Sequence, residues 1–143
     1  MQEMFGQGNH KIFSTGDSGF EALALDIFLY QLKNNAVYNE YVKALGTDPA
    51  RVSTIDQIPF LPVRFFKSRE VKTGEFEPEV IFESSGTTGM VSSRHLVKDL
   101  SLYRESFTRG FELFYGPASS CCIIGLLPSY LERGNSSLVG MVD

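Results

Sequence analysis

Six consecutive residues, Ser84-Ser85-Gly86-Thr87-Thr88-Gly89, place four side-chain hydroxyls and two glycines directly after the apolar Val80, Ile81 and Phe82. This composition suits the holding of an oxyanion such as a phosphate. Glycine frees the backbone so that several N–H groups can converge on one anion, and serine and threonine hydroxyls act as further donors. Such a cradle binds without a covalent role, so it needs small and flexible residues and no nucleophile. The lysine-bearing P-loop pattern is absent. A surface turn rich in small residues has the same composition, and the six residues alone leave both readings open.

The flanking residues predict how the stretch is held. Val80–Phe82 reads as a strand entering it, and Ser93–Val97 as a second strand leaving it, which puts the glycines at the tip of a hairpin. Asp99 then caps a predicted helix to Tyr115. Tyr103, Phe107, Phe111 and Phe114 recur along it at helical spacing as a buried stripe, and Gly116-Pro117 stops it. The unbroken apolar run Cys121–Leu127 predicts an inner strand covered on both faces. Cys121 and Cys122 are adjacent and lack metal-type spacing, so they read as buried thiols within that strand. Strand, helix and strand in this order imply a right-handed crossover, with ligands gathering at the carboxyl ends of the strands. Pro128, Ser129 and Tyr130 occupy such an end, where Tyr130 lines a ligand pocket or belongs to the core. Asn135 and Ser136 read as the N-cap of a final helix near Leu138.

The front of the chain is predicted to be helical. Ser18 and Glu21 have capping-box spacing, and Phe20, Leu23, Ala24, Ile27 and Phe28 follow at helical spacing to about Lys33. A second helix is predicted over Asn35–Leu45, with Val37, Tyr38, Tyr41, Val42 and Leu45 on one face and Gly46 as its stop. Asp48-Pro49 and Thr54 with Gln57 mark two further, shorter helical starts. The two prolines of Ile58–Lys67 predict an extended, edge-like segment. Arg64, Lys67, Arg69 and Lys72 follow as a basic cluster that is either a solvated face or one turned to a polyphosphate.

With 143 residues, 43% hydrophobic and 21% charged, the chain has the size and composition of one globular domain with a core of its own. A net charge of −4 speaks against a general nucleic-acid surface. No apolar run is long enough to span a bilayer, and residues 1–10 lack the apolar stretch of a secretory signal, so the expected location is cytoplasmic.

The segments IPFLPVRFFKS, FESSGTTG and LLPSYLERGNSSL together resemble the N-terminal part of the LuxE-like acyl-protein synthetases, a branch of the adenylate-forming superfamily related to phenylacetate-CoA ligases. The resemblance covers roughly Ile58–Asp143. It implies an α/β fold in which a helical segment, 1–57, precedes the first part of an adenylation domain, 58–143, the start of a sheet with flanking helices. It also implies ATP and Mg²⁺ as cofactors, a carboxylic acid substrate, fatty acids included, and a thiol acceptor. By its pattern, Ser84, Ser85, Gly86, Thr87, Thr88 and Gly89 hold the pyrophosphate end of ATP, and Ser129 and Tyr130 fall in an acid-pocket segment. The family's proline and lysine after the loop are replaced by Val91-Ser92-Ser93-Arg94. Arg94 either supplies the lysine's charge or faces solvent.

The family's Mg²⁺-organising glutamate, ribose aspartate, C-terminal lysine and acceptor cysteine fall beyond the equivalent of Asp143. The resemblance therefore implies a front fragment, inert alone, with an exposed sheet edge that promotes self-association. A phenylacetate-type CoA ligase fragment and a non-catalytic phosphate- or protein-binding module are the alternative readings.

Overall fold

The computed structural model describes residues 10–84, 92–124 and 136–141. They form two compact units, one comprising Met1–Phe65 with Arg69–Glu75, the other Phe66–Ser68 with Phe76–Asp143.

The first unit is helical. A short helix α1 (His10–Ser14) precedes α2 (Asp17–Asn34) and α3 (Ala36–Ala44). The apolar residues of α2 and α3 meet in a core of Phe28, Tyr38, Val42 and Ile58, flanked by Ala24, Leu25, Leu32, Val52 and Leu61. Phe28 meets Tyr38 edge to face at 6.2 Å. Burial pushes the Tyr38 phenol up to about 12, with a smaller contribution from Tyr41. Asn35, itself buried, makes the break between the helices: its Oδ1 accepts from the Tyr38 N–H at 3.1 Å, so it caps α3. Its Nδ2 donates to Gln31 and Thr73, the Thr73 hydroxyl donates to Gln31 at 2.6 Å, and the Gly74 N–H donates to the Asn34 carbonyl at 2.7 Å. These bonds tie the 69–75 segment to the α2–α3 corner.

The stop of α3 follows the sequence pattern. Gly46, at φ +67°, donates to the Lys43 carbonyl, and Thr47 donates to that of Val42, which together satisfy two otherwise unpaired carbonyls. Asp48 caps a 3-10 turn at Pro49–Arg51, and the Gln57 side chain reaches back to the Thr54 N–H at 3.3 Å.

Two expectations for this region are corrected. Ser18 does not cap α2, because the helix begins earlier, at Asp17, with Gly16 as N-cap; Glu21 instead accepts the Ile55 N–H at 3.4 Å. The segment expected to be extended over Ile58–Lys67 ends in a short helix, α4 (Phe65–Ser68). Both prolines precede that turn, and the Pro62 carbonyl accepts the Phe65 N–H at 3.0 Å, so neither proline obstructs it.

The second unit is built on an antiparallel hairpin of β1 (Val80–Glu83) and β2 (Arg94–Val97), paired Val80 to Val97, Ile81 to Leu96, Phe82 to His95 and Glu83 to Arg94. The expected hairpin with the glycine-rich stretch between its strands is thus present. Phe82 and Val97 are buried. The helix α5 (Leu100–Tyr115) follows, and the Tyr103 ring packs on Phe82 at 5.0 Å and on Phe107 at 5.5 Å.

Asp99 caps α5 as expected, its Oδ1 accepting from the N–H groups of Ser101 and Leu102 at 2.9 and 3.2 Å, while Glu79 Oε2 accepts that of Leu100 at 2.8 Å. The Ser101 hydroxyl first, and then the Leu102 N–H, hold the Asp99 carboxyl below its ordinary value. Replacing Asp99 by alanine is expected to cost about 1 kcal/mol at neutral pH. A carboxyl with a depressed folded-state value stabilises above its unfolded pKa of about 4 and loses that contribution as pH falls through the folded value. The stability gap between the two proteins in thermal unfolding should therefore begin to close below about pH 4 and vanish only once the pH is below the depressed folded-state value; a gap that stays undiminished through that acid range would assign the effect to something other than the ionised cap.

Two further expectations do not hold. The aromatic stripe of α5 is only partly covered: Tyr103, Phe107 and Phe111 are half-buried, whereas Phe114 is 78% exposed. Cys121–Ile124 is neither buried nor paired. It follows a 3-10 turn at Ala118–Ser120, both thiols are exposed, and Ile124 is 84% exposed. An apolar strand is buried on both faces only inside a sheet that has packed layers on each side, and the sheet formed by the described residues has two strands, β1 and β2, neither of which is Cys121–Ile124. The expected strand–helix–strand crossover is therefore not seen among the described residues; Gly125–Leu127 lie outside them. Ser136 precedes a short α6 (Ser137–Gly140) as expected, without a side-chain capping bond, and Asn135 lies outside the described residues.

Candidate functional site

The hairpin sets the base of the glycine-rich stretch. β-branched and aromatic residues favour the strand at Val80–Phe82, and the pairing places Phe82 and His95 side by side on one face and Glu83 opposite Arg94. One rung further, the Ser84 N–H donates to the Ser93 carbonyl at 3.0 Å and the Ser93 N–H donates to Ser84 Oγ at 2.9 Å. The two ends of the intervening chain are held together at this point.

An open recess of about 300 Å³ lies beside this neck. The rings of Phe82 and Tyr103 and the His95 imidazole line it, together with Glu83, Ser84, Ser93 and Ser137. The His95 ring stands 6.0 Å from that of Phe66, and partial burial lowers its pKa. At neutral pH it is therefore a neutral imidazole, able to donate one hydrogen bond and accept another, and the positive charge at the neck comes from Arg94. Arg94 is exposed and forms no ion pair with another described residue.

Of the residues singled out in the sequence, the structure brings Ser84 and Arg94 to this neck. Ser85, Gly86, Thr87, Thr88 and Gly89 lie outside the described residues, as do Ser129 and Tyr130 of the expected acid pocket. In the basic cluster, Arg64, Lys67 and Arg69 are exposed, and Lys72 pairs with Glu70 and Glu75 at 3.5 and 3.3 Å. His95, Tyr103 and Ser137 were not singled out for a site. His95 was within reach of sequence reasoning, because a hairpin that buries Phe82 places the cross-strand neighbour of Phe82 on the same face. Ser137 carried no comparable signal.

Among the described residues no group of three or more His, Cys, Asp and Glu side chains is placed to hold a metal ion. No helix among them is long and apolar enough to cross a membrane.

No family model matches the chain, and no solved structure does. Over 71 residues, 49% of the chain, the sequence is 38% identical to a Photorhabdus luminescens protein named long-chain-fatty-acid–luciferin-component ligase, and the match covers 60% of that relative. The chain is thus similar to a LuxE-like ligase and spans less than two thirds of its length.

Proposed function

We propose that this chain supplies the phosphate-holding front part of an ATP-dependent ligase that activates a long-chain fatty acid. The observation that carries this reading is the placement of the Ser84–Gly89 sequence between two paired strands whose ends are hydrogen-bonded at Ser84 and Ser93. The ligase named in the comparison supports it, as it points to a fatty acid rather than another carboxylic acid. The proposed fold is the start of an adenylate-forming α/β sheet.

In the proposed reaction a carboxylate oxygen attacks the α-phosphorus of MgATP, the bond to the bridging oxygen breaks, and pyrophosphate leaves with that electron pair. The thiol sulfur then attacks the acyl carbon, the bond from that carbon to the phosphate oxygen breaks, AMP leaves with the electron pair, and the thiol proton passes to solvent. The chain's own part is positioning and charge stabilisation. Loop N–H groups and hydroxyls hold the oxygens of the leaving pyrophosphate, and the exposed Arg94 guanidinium adds positive charge at the loop's base. Mg²⁺ enters with the nucleotide as part of the substrate. Fatty-acid-dependent exchange of labelled pyrophosphate into ATP by the natural gene product tests the reading; exchange that ignores the acid would contradict it.

Self-association belongs to the same proposal. Leu113, Phe114 and Ile124 are each more than three-quarters exposed, and apolar side chains left in water favour association. Light scattering should show a mass that rises with concentration, whereas a constant monomer mass would refute this part.

A further inference from the structure

We propose that Ser84 and Ser93 form a clasp that fixes the neck of the glycine-rich loop, and that Ser84 acts on a bound nucleotide as a positioning residue through this clasp. The second half rests on the phosphate-holding function proposed above. In a continued antiparallel ladder, Ser84 and Ser93 would be the rung after Glu83 and Arg94 and would exchange two main-chain N–H to C=O bonds. One of these is present, from the Ser84 N–H to the Ser93 carbonyl at 3.0 Å. For the other, the Ser93 N–H turns to the Ser84 hydroxyl oxygen, at 2.9 Å.

The side chain has taken the acceptor role of its own carbonyl. The main chain can therefore leave the strand at Ser84 while the neck stays closed by two bonds. Alanine cannot make this substitution; threonine can. Ser93 enters the clasp through main-chain groups alone. The Ser84 hydroxyl, engaged as acceptor, keeps its own proton for donation. Holding the two ends one rung apart reduces the arrangements open to the chain between them, and a loop that gathers N–H groups around one anion binds better the less ordering it must undergo. Ser84 is exposed, so its replacement leaves the packing of Phe82 and Val97 in place.

The test combines hydrogen exchange at the Ser93 amide with MgATP titration of the natural gene product and its Ser84→Ala, Ser84→Thr and Ser93→Pro variants. The Ser93 N–H should be protected in the natural protein and in Ser84→Thr. Its exchange should be roughly five- to tenfold faster in Ser84→Ala, the loss of one neutral hydrogen bond. MgATP affinity should fall by a similar factor in Ser84→Ala, return in Ser84→Thr, and fall likewise in Ser93→Pro, which keeps the Ser84 hydroxyl but removes the N–H that binds it. Unfolding midpoints should change little in Ser84→Ala.

Equal exchange in the natural protein and Ser84→Ala overturns the clasp. A protected amide with natural affinity in Ser93→Pro and weak affinity in Ser84→Ala overturns the positioning role, because Ser84 then acts directly on phosphate, and the phosphate-holding function stands. Failure of the natural protein to bind MgATP overturns that function and the positioning role with it.

Discussion

Replacing Gly86 by leucine in the natural gene product is expected to abolish fatty-acid-dependent exchange of pyrophosphate into ATP while leaving the far-ultraviolet circular dichroism unchanged. In the proposed cradle the donors are mainly main-chain N–H groups, and a bulky side chain at a glycine among them blocks the approach of the anion to all of them at once. The fold should tolerate the change, because the hairpin's packing runs through Phe82, Val97 and Tyr103, all below the neck. Thr87→Ala provides the contrast. It removes one hydroxyl and no N–H, so its loss should be on the order of 1–3 kcal/mol, the range for a hydrogen bond to a charged group. Natural exchange activity in the leucine variant would reassign the stretch to a surface turn.

The largest stability effect is expected in the helical unit. Phe28 is 3% exposed and packs among Tyr38, Val42 and Ile58, with Val42 itself 1% exposed. Phe28→Ala should cost about 3–5 kcal/mol, through lost burial and the cavity left behind. That is a large share of the about 5–15 kcal/mol that holds a domain folded. The urea midpoint followed by helical circular dichroism should drop sharply, whereas Phe60→Ala, at a side chain 70% exposed, should stay within about 0.5 kcal/mol of the natural protein. Equal effects at the two positions would show that the Phe28 cluster is not the core of this unit.

What could be read in the sequence was local. Gly46, Asp48 and Asp99 stop or cap helices through bonds to residues two or three positions away, so residue type and spacing sufficed; Asn35, read as the first residue of the second helix, is its N-cap. The hairpin was legible for a related reason: Val80–Phe82 and Ser93–Val97 are close in sequence and joined by a glycine-rich stretch. What failed depended on distant partners. Cys121–Ile124 has the composition of an inner strand, but composition supplies neither the strands that would pair with it nor the layers that would cover its faces, and both thiols are exposed. Phe114 likewise continues the period of α5 past the residues that Tyr103 joins to Phe82. The Ser84–Ser93 clasp needs atomic positions, because a side-chain oxygen replacing a carbonyl leaves no periodic trace in the sequence.

The central claim, that the carboxylate attacks the α-phosphorus of ATP, is tested most directly by following oxygen. The natural gene product is supplied with MgATP, a thiol acceptor and a long-chain fatty acid labelled with ¹⁸O in its carboxylate, and the phosphorus products are weighed by mass spectrometry. Attack at the α-phosphorus leaves one carboxylate oxygen on AMP when the acyl group moves to the thiol, so labelled AMP and unlabelled pyrophosphate are expected. Label in inorganic phosphate, or none in AMP while ATP is consumed, would contradict the account.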